Sequence, residues 1–205
     1  MSYLIDLSTT VKELTDFVHL SKECKTDFEF WLRFLSDWND VTMFYECEFT
    51  NSFDMELSTD AASTLGFGGY YHGKYVYSTW SVDLPLLTYN FPMAFLELYP
   101  IVVAALLWGS AWSCKIILFW CDNEATVAIV RKGRSKCLGI IKLMRQLTSC
   151  AAKNNFHFGA KHVPGYKNQI SEAFSRLQID RFRSLAPQAE QHPCKCPSVL
   201  EVMWH

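Results

Sequence analysis

A chain of 205 residues, half of them hydrophobic and 15% aromatic, is long enough to bury one full core and too apolar to be disordered. Its net charge of -2 argues against a nucleic-acid partner when taken over the whole chain, but the charge is unevenly placed. Residues 1–58 hold 4 Lys and Arg against 12 Asp and Glu, a net of -8, and residues 59–205 hold 15 against 9, a net of +6.

Thr9 to Val18 and Phe28 to Trp38 both have helical spacing. In the second, Phe28, Trp31, Leu32, Leu35 and Trp38 form an aromatic stripe of the kind that packs on a neighbour. Asn39-Asp40 ends it. Three strands with a glycine-rich turn follow, MELSTDAA, GFGGYY and KYVYSTW, between Met55 and Trp80. A 13-residue connection with Pro85 and Pro92 leads to a helix over Ala94 to Trp112. Its apolar run, Pro100 to Trp112, is shorter than the roughly 20 residues of a membrane span, so it reads as a buried helix with no membrane partner. Next come the apolar strand KIILFW, a helix over Glu124 to Arg131, a helix over Leu138 to Asn154, the strand FHFGAKHV, a Pro164-Gly165 turn and a last helix over Gln169 to Leu177. Strands separated by helices require parallel pairing. The expected architecture is therefore α/β, a mixed five-stranded sheet of three antiparallel and two parallel strands flanked by helices. Residues 1–52 read as a helical connector, 53–180 as the folded domain and 181–205 as a tail. Met1 to Asp6 has no signal-peptide pattern and the eight cysteines have no framework spacing, so a reduced cytoplasmic or nuclear setting is expected rather than a secreted one.

Between Leu84 and Cys114 the only charged residue is Glu97, in a helix apolar almost all round. A buried carboxylate must be paired, bind metal or take up a proton, because desolvating it alone costs several kcal/mol, about 5 or more. Asp122 ends the apolar strand KIILFW and Asp60 ends MELST, and strand ends of an open α/β sheet are where ligand sites form. Asp122 alone reads equally well as a helix N-cap. Three such carboxylates together point to a hard divalent cation such as Mg²⁺, since clustered carboxylates otherwise repel one another. Two ions about 4 Å apart would suit phosphodiester hydrolysis.

In sequence order, STDAAS, FLELYP, FWCDNEA, HVPGYKN and SEAFSRL make Met55 to Leu177 resemble the ribonuclease H domain of retroelement reverse transcriptases. The resemblance is closest to DIRS-type, tyrosine-recombinase-encoding retrotransposons, with gypsy-type elements a step further away. The flanks IDLSTTVKEL with FWLRFLSDWN, and LQIDRFRSLAP, resemble the connecting segment and shared tail of those polyproteins. The resemblance implies a ribonuclease H-like fold and hydrolysis of the RNA strand of an RNA–DNA hybrid. It implies two Mg²⁺ ions, replaceable by Mn²⁺, on the catalytic and metal-binding residues Asp60, Glu97, Asp122 and Glu172. An upstream reverse transcriptase portion is the implied protein partner.

The chain departs from the family in one place that matters. Ser171-Glu172 stands where the family has Ala-Asp, so the fourth carboxylate reaches roughly 1.5 Å further. A misplacement of about 1 Å can slow a reaction on the order of 100-fold. This departure keeps open a catalytically impaired or domesticated nucleic-acid-binding domain of the same fold. An integrase or exonuclease is a third reading, against which HVPG and SEAFSRL count. No Asp-Asp pair of a polymerase palm is present.

Substrate contacts are expected from Ser63 and Asn123, each beside a proposed metal-binding Asp, and from the basic cluster Arg131, Lys132, Arg134, Lys136, Lys142 and Arg145, which could face phosphates or be a solvated helix face. His162 reads as a structural or substrate-edge residue. Gly66, Gly68 and Gly69 read as a hairpin needing positive φ, ahead of close approach by a substrate. Tyr70, Tyr71, Tyr75 and Tyr77 read as packing. His192, Cys194 and Cys196 lack zinc-site spacing.

Overall fold

A computed structural model describes residues 2–13, 15–36, 49–51, 55–80, 84, 91–163 and 168–204. The architecture is mixed α/β, with a three-stranded antiparallel sheet, a parallel sheet of two longer strands and one short one, and flanking helices, compatible with a ribonuclease H-like arrangement. Two helices, α1 (Ser2–Ser8) and α2 (Lys22–Ser36), come first. Strands β2 (Leu57–Ala61), β3 (Gly66–Tyr71) and β4 (Lys74–Thr79) form the antiparallel meander, with Asp60 opposite Gly68. Strands β5 (Ile116–Cys121) and β6 (His157–His162) pair in parallel. A third parallel strand, β1 (Phe49–Asn51), covers the other side of β5 and was not legible in the sequence. Strand β2 approaches β5, so the ends carrying Asp60 and Asp122 come together.

The long helix α3 (Met93–Trp108) continues into a 3₁₀ turn, Gly109–Trp112, and lies on β2 and β3 with α5 (Leu138–Lys153) against it. Phe95, Leu98, Val102, Val103, Ala104 and Ala105 are fully buried, which explains why the helix is apolar all round. Helix α4 (Glu124–Lys132) stops at Gly133, whose φ of 65° and N–H bond to the Ile129 carbonyl form a left-handed cap. After β6 come α6 (Gln169–Ser175), α7 (Ile179–Leu185) and α8 (Val199–Val202). The tail is tied down: Arg183 donates to the Tyr75 hydroxyl at 2.6 Å, Cys194 N–H donates to the Tyr75 carbonyl at 2.7 Å, and Val202 is buried in the main core.

Three expectations change. The helix expected over Thr9 to Val18 lies earlier, at α1. The hydroxyls of Ser8, Thr9 and Thr10 each donate at 2.7 Å to a carbonyl three residues back, and the Asp16 carboxylate takes the Lys12 and Glu13 amides at 3.0 Å, so local side-chain bonds replace the helical ladder. In α2 the stripe is rotated. Cys24, Asp27 and Phe30 are buried while Phe28, Leu32 and Leu35 are exposed, and Trp38 lies outside the described residues. What orients the helix is an ion pair between Asp27, fully buried, and Arg145 of α5. Asp27 also accepts from Leu4 N–H at 3.2 Å, and Phe30 packs edge-on against Trp204 at 4.9 Å. Arg145 is therefore withdrawn from the phosphate-facing cluster, because its charge is committed to a partner in a low-dielectric setting.

The glycines are the third change. The β3–β4 turn is His72-Gly73, with φ of 47° and 80°, and Gly66, Gly68 and Gly69 lie within strand β3. Gly68 is needed for close approach of α6: a Cβ there would sit 2.2 Å from the Phe174 Cβ. Phe174 stacks on Tyr75 at 5.2 Å and meets Phe182 at 4.1 Å, so the tyrosines are packing. Gly68→Ala is expected to push α6 off the sheet and destabilise the fold by about 1–3 kcal/mol or more, read as a lowered urea midpoint with an unchanged slope. An unaltered midpoint would show that α6 does not bear on β3.

Candidate metal centre

Three chain segments far apart in sequence deliver one carboxylate each. Asp60 comes from β2, Glu97 from the second turn of α3, and Asp122 from the residue after β5. One oxygen from each lies within 4.8 Å of the others, and among the described residues this is the only group of His, Cys, Asp and Glu side chains gathered closely enough for a metal ion. They open into a cleft of about 510 Å³ that Ser63, Glu172, Ser175 and Arg176 also line. Burial is graded across the three: Glu97 is 6% exposed and Asp60 9%, whereas Asp122 is exposed to solvent.

The electrostatics follow from that burial. Desolvation, with repulsion from Asp60 and Asp122, pushes the Glu97 carboxyl up to about 9. Asp60 is pushed up to about 6, first by desolvation and then by Asp122 and Glu172, against the lowering effect of a Ser175 hydrogen bond. No hydrogen bond or cation among the described residues offsets the charge of Glu97. Burial also lifts the Cys121 thiol to about 12, so it remains a neutral neighbour. A hard, oxygen-rich donor set with one buried, unpartnered carboxylate fits a divalent cation such as Mg²⁺ or Mn²⁺.

The other expected residues divide. Ser63 lies in the cleft wall. Glu172 also faces the cleft, but its oxygens are engaged by Arg176 at 3.0 Å and Arg181 at 3.1 Å, and it stands outside the group of three. Asn123, and not Asp122, is the N-cap of α4: its side-chain oxygen accepts from Thr126 N–H at 3.0 Å and the Thr126 hydroxyl at 3.3 Å. That leaves the Asp122 carboxylate free for a ligand and commits Asn123 Oδ1 to the helix. His162 Nε2 donates to the Asp122 carbonyl at 3.2 Å, bracing the strand end from beside it. The Pro164-Gly165 turn lies outside the described residues. Arg131, Lys132 and Arg134 are exposed near the far end of α4, about 12 Å along the helix from the Asp122 end at 1.5 Å per residue. Arg131 also donates Nε–H to the Ala160 carbonyl at 3.0 Å.

Several residues that shape the site were missed. The buried Ser175 hydroxyl donates to Asp60 Oδ2, and Asn168 Nδ2 donates to the Thr59 carbonyl at 2.8 Å, so α6 is fastened to β2 at both ends. Ser171 donates to Asn168 Oδ1 and holds that amide in place. The signal available was the spacing of Ser171 and Ser175, four apart on one face of a short helix. No protein-family model matches the chain, and no curated protein matches it.

The raised carboxyls set a pH dependence. Each binds its proton more tightly in the folded than in the unfolded chain. The stability this gives is full below the ordinary carboxyl range and is lost as pH rises through about 6 for Asp60 and about 9 for Glu97. In that window each group removes up to about 1.4 kcal/mol per pH unit. In EDTA the unfolding temperature of the wild type is expected to fall from pH 5 to pH 9, with a shallower fall for Glu97→Gln. Added Mg²⁺ should restore the wild type most at high pH, where its ligands are ionised. Parallel curves for the two proteins would contradict this.

Proposed function

We propose that the chain is a divalent-metal-dependent phosphodiester hydrolase, a ribonuclease H that cleaves the RNA strand of RNA–DNA hybrids. The observation that carries the reading is the convergence of Asp60, Glu97 and Asp122 in one open cleft at adjoining strand ends. The motifs STDAAS, FLELYP and FWCDNEA supply those three residues in the order that ribonucleases H of retroelements have them. A divalent ion held there supplies Lewis-acid stabilisation at the phosphoryl oxygens and assists ionisation of the attacking water.

The protein's own groups provide the rest. Asp60 is held in one orientation by Ser175, and Glu97 projects from a fully packed helix, so both are preorganised before substrate arrives. The exposed Arg131, Lys132 and Arg134 lie far enough along α4 to meet a duplex backbone away from the cleft, which would make binding fall with salt. Ser63, on the cleft wall, is placed to contact a sugar or phosphate.

Purified protein with Mg²⁺ and labelled hybrid is expected to release shorter RNA fragments ending in a 3'-hydroxyl, and Asp60→Asn to lose on the order of 100-fold or more in rate. Equal cleavage by wild type and Asp60→Asn, or none by the wild type, would overturn the proposal. The hold of Arg176 and Arg181 on Glu172 favours a second reading, a hybrid-binding domain with little or no turnover. Binding that persists in EDTA without cleavage in Mg²⁺ would select it.

A further inference from the structure

We infer that the centre takes one divalent ion per chain, held by Asp60, Glu97 and Asp122, and that Glu172 with Arg176 and Arg181 occupies the place of a second ion. This rests on the metal-centre reading above and departs from the two-ion expectation carried by the resemblance. The first ion has an independent observation behind it. Glu97 is more than nine-tenths buried, no hydrogen bond or cation among the described residues answers it, and it lines the cleft together with the other two.

The second ion meets a different environment. Glu172 lines the same cleft, yet both its oxygens are taken: Oε1 by Arg176 Nη2 at 3.0 Å and Oε2 by Arg181 Nη2 at 3.1 Å. The two arginines reach it from different places. Arg176 lies one turn further along from Glu172, just past the end of α6, and Arg181 is in α7. Arg181 is further fixed by donating Nη1–H to Gln178 Oε1 at 3.0 Å. Guanidinium groups keep their charge at any working pH, so neither can step aside by losing a proton.

Charge decides the matter. One carboxylate with two guanidiniums carries a net of +1, the same as one carboxylate with one divalent ion. Arg176 lines the cleft and Arg181 reaches Glu172 from α7, so the pair brings to Glu172 the positive charge that a second ion would bring. Over the whole cleft, the four carboxylates Asp60, Glu97, Asp122 and Glu172, the two guanidiniums and one divalent ion sum to zero, so a second divalent ion would leave a net of +2, which is unfavourable. The ion pairs themselves are partly exposed and individually weak. The exclusion comes from the balance of charge in the cleft, not from the strength with which either arginine grips Glu172. The longer glutamate side chain fits this use: it reaches outward to the arginines while Asp60, on the floor of the cleft, is held by Ser175.

The test is calorimetric titration of the full chain with Mn²⁺, alongside Glu172→Gln and Asp60→Asn. One ion per chain is expected in the wild type, and the same count in Glu172→Gln with an affinity changed no more than about threefold. Asp60→Asn should lose at least tenfold in affinity, which places the ion in the cleft. Two ions in the wild type, loss of an ion in Glu172→Gln, or undiminished binding by Asp60→Asn would each overturn the inference. The wild-type count needs no variant, so a misfolded Glu172→Gln leaves the test intact. The outcome also separates from the activity: two ions with hybrid cleavage refutes this inference alone, and one ion without cleavage refutes the ribonuclease reading alone.

Discussion

Much of the molecule is organised around a carboxylate placed where a carboxylate should not be. Glu97 is buried in the central helix, beside two further acids and, among the described residues, away from any compensating cation. An unpaired charge in that position is unfavourable by several kcal/mol, about 5 or more, so the apo centre relaxes by keeping a proton on Glu97. The surrounding packing forces the issue. Helix α3 packs on the antiparallel sheet and against α5, and Glu97 lines the cleft. On the reading proposed above, a hard divalent cation would answer this liability by ionising all three acids at once.

The rest of the fold holds the other two acids to that point. Asp60 stays put because α6 is fastened to β2 through Asn168 and Ser175, and α6 can come so close only because position 68 has no side chain. Asp122 stays put because the following residue caps α4 and His162 braces its carbonyl. The Asp27 and Arg145 pair joins the N-terminal helix α2 to α5, which packs on α3. The tail closes over β4 through Arg183 and Cys194. The chain thus supports its central helix from several directions, and the carboxylates inherit that rigidity.

How much of this was legible in the sequence depends on the range over which each signal acts. Glu97, Asp60 and Asp122 could be found because each is a lone charge in an apolar surrounding, a local anomaly visible without any fold. The strands and helices from Leu57 to Ser175 could be read because their periodicity is local as well. What could not be read are pairings across long stretches of chain. Asp27 and Arg145 are 118 residues apart, and nothing near Arg145 distinguishes it from the exposed Arg131 and Lys132. Gly68 looks like a turn residue until Phe174, about a hundred positions later, is laid across it. The motif places Glu172 beside the other acids, but the ion pairs that Arg176 and Arg181 make with it depend on how α6 and α7 pack, which no local pattern carries. Strand β1, three residues long, is too short to carry a pattern.

The central claim is that Asp60, Glu97 and Asp122 together grip a single cation. A crystal of the full chain soaked in Mn²⁺, with anomalous scattering collected at the manganese edge, tests it most directly. One anomalous peak within metal–oxygen bonding distance of all three carboxylates, about 2.0–2.2 Å by analogy with Mg²⁺, is the predicted result. A peak that avoids Glu97, or no peak in the cleft at all, would contradict the account.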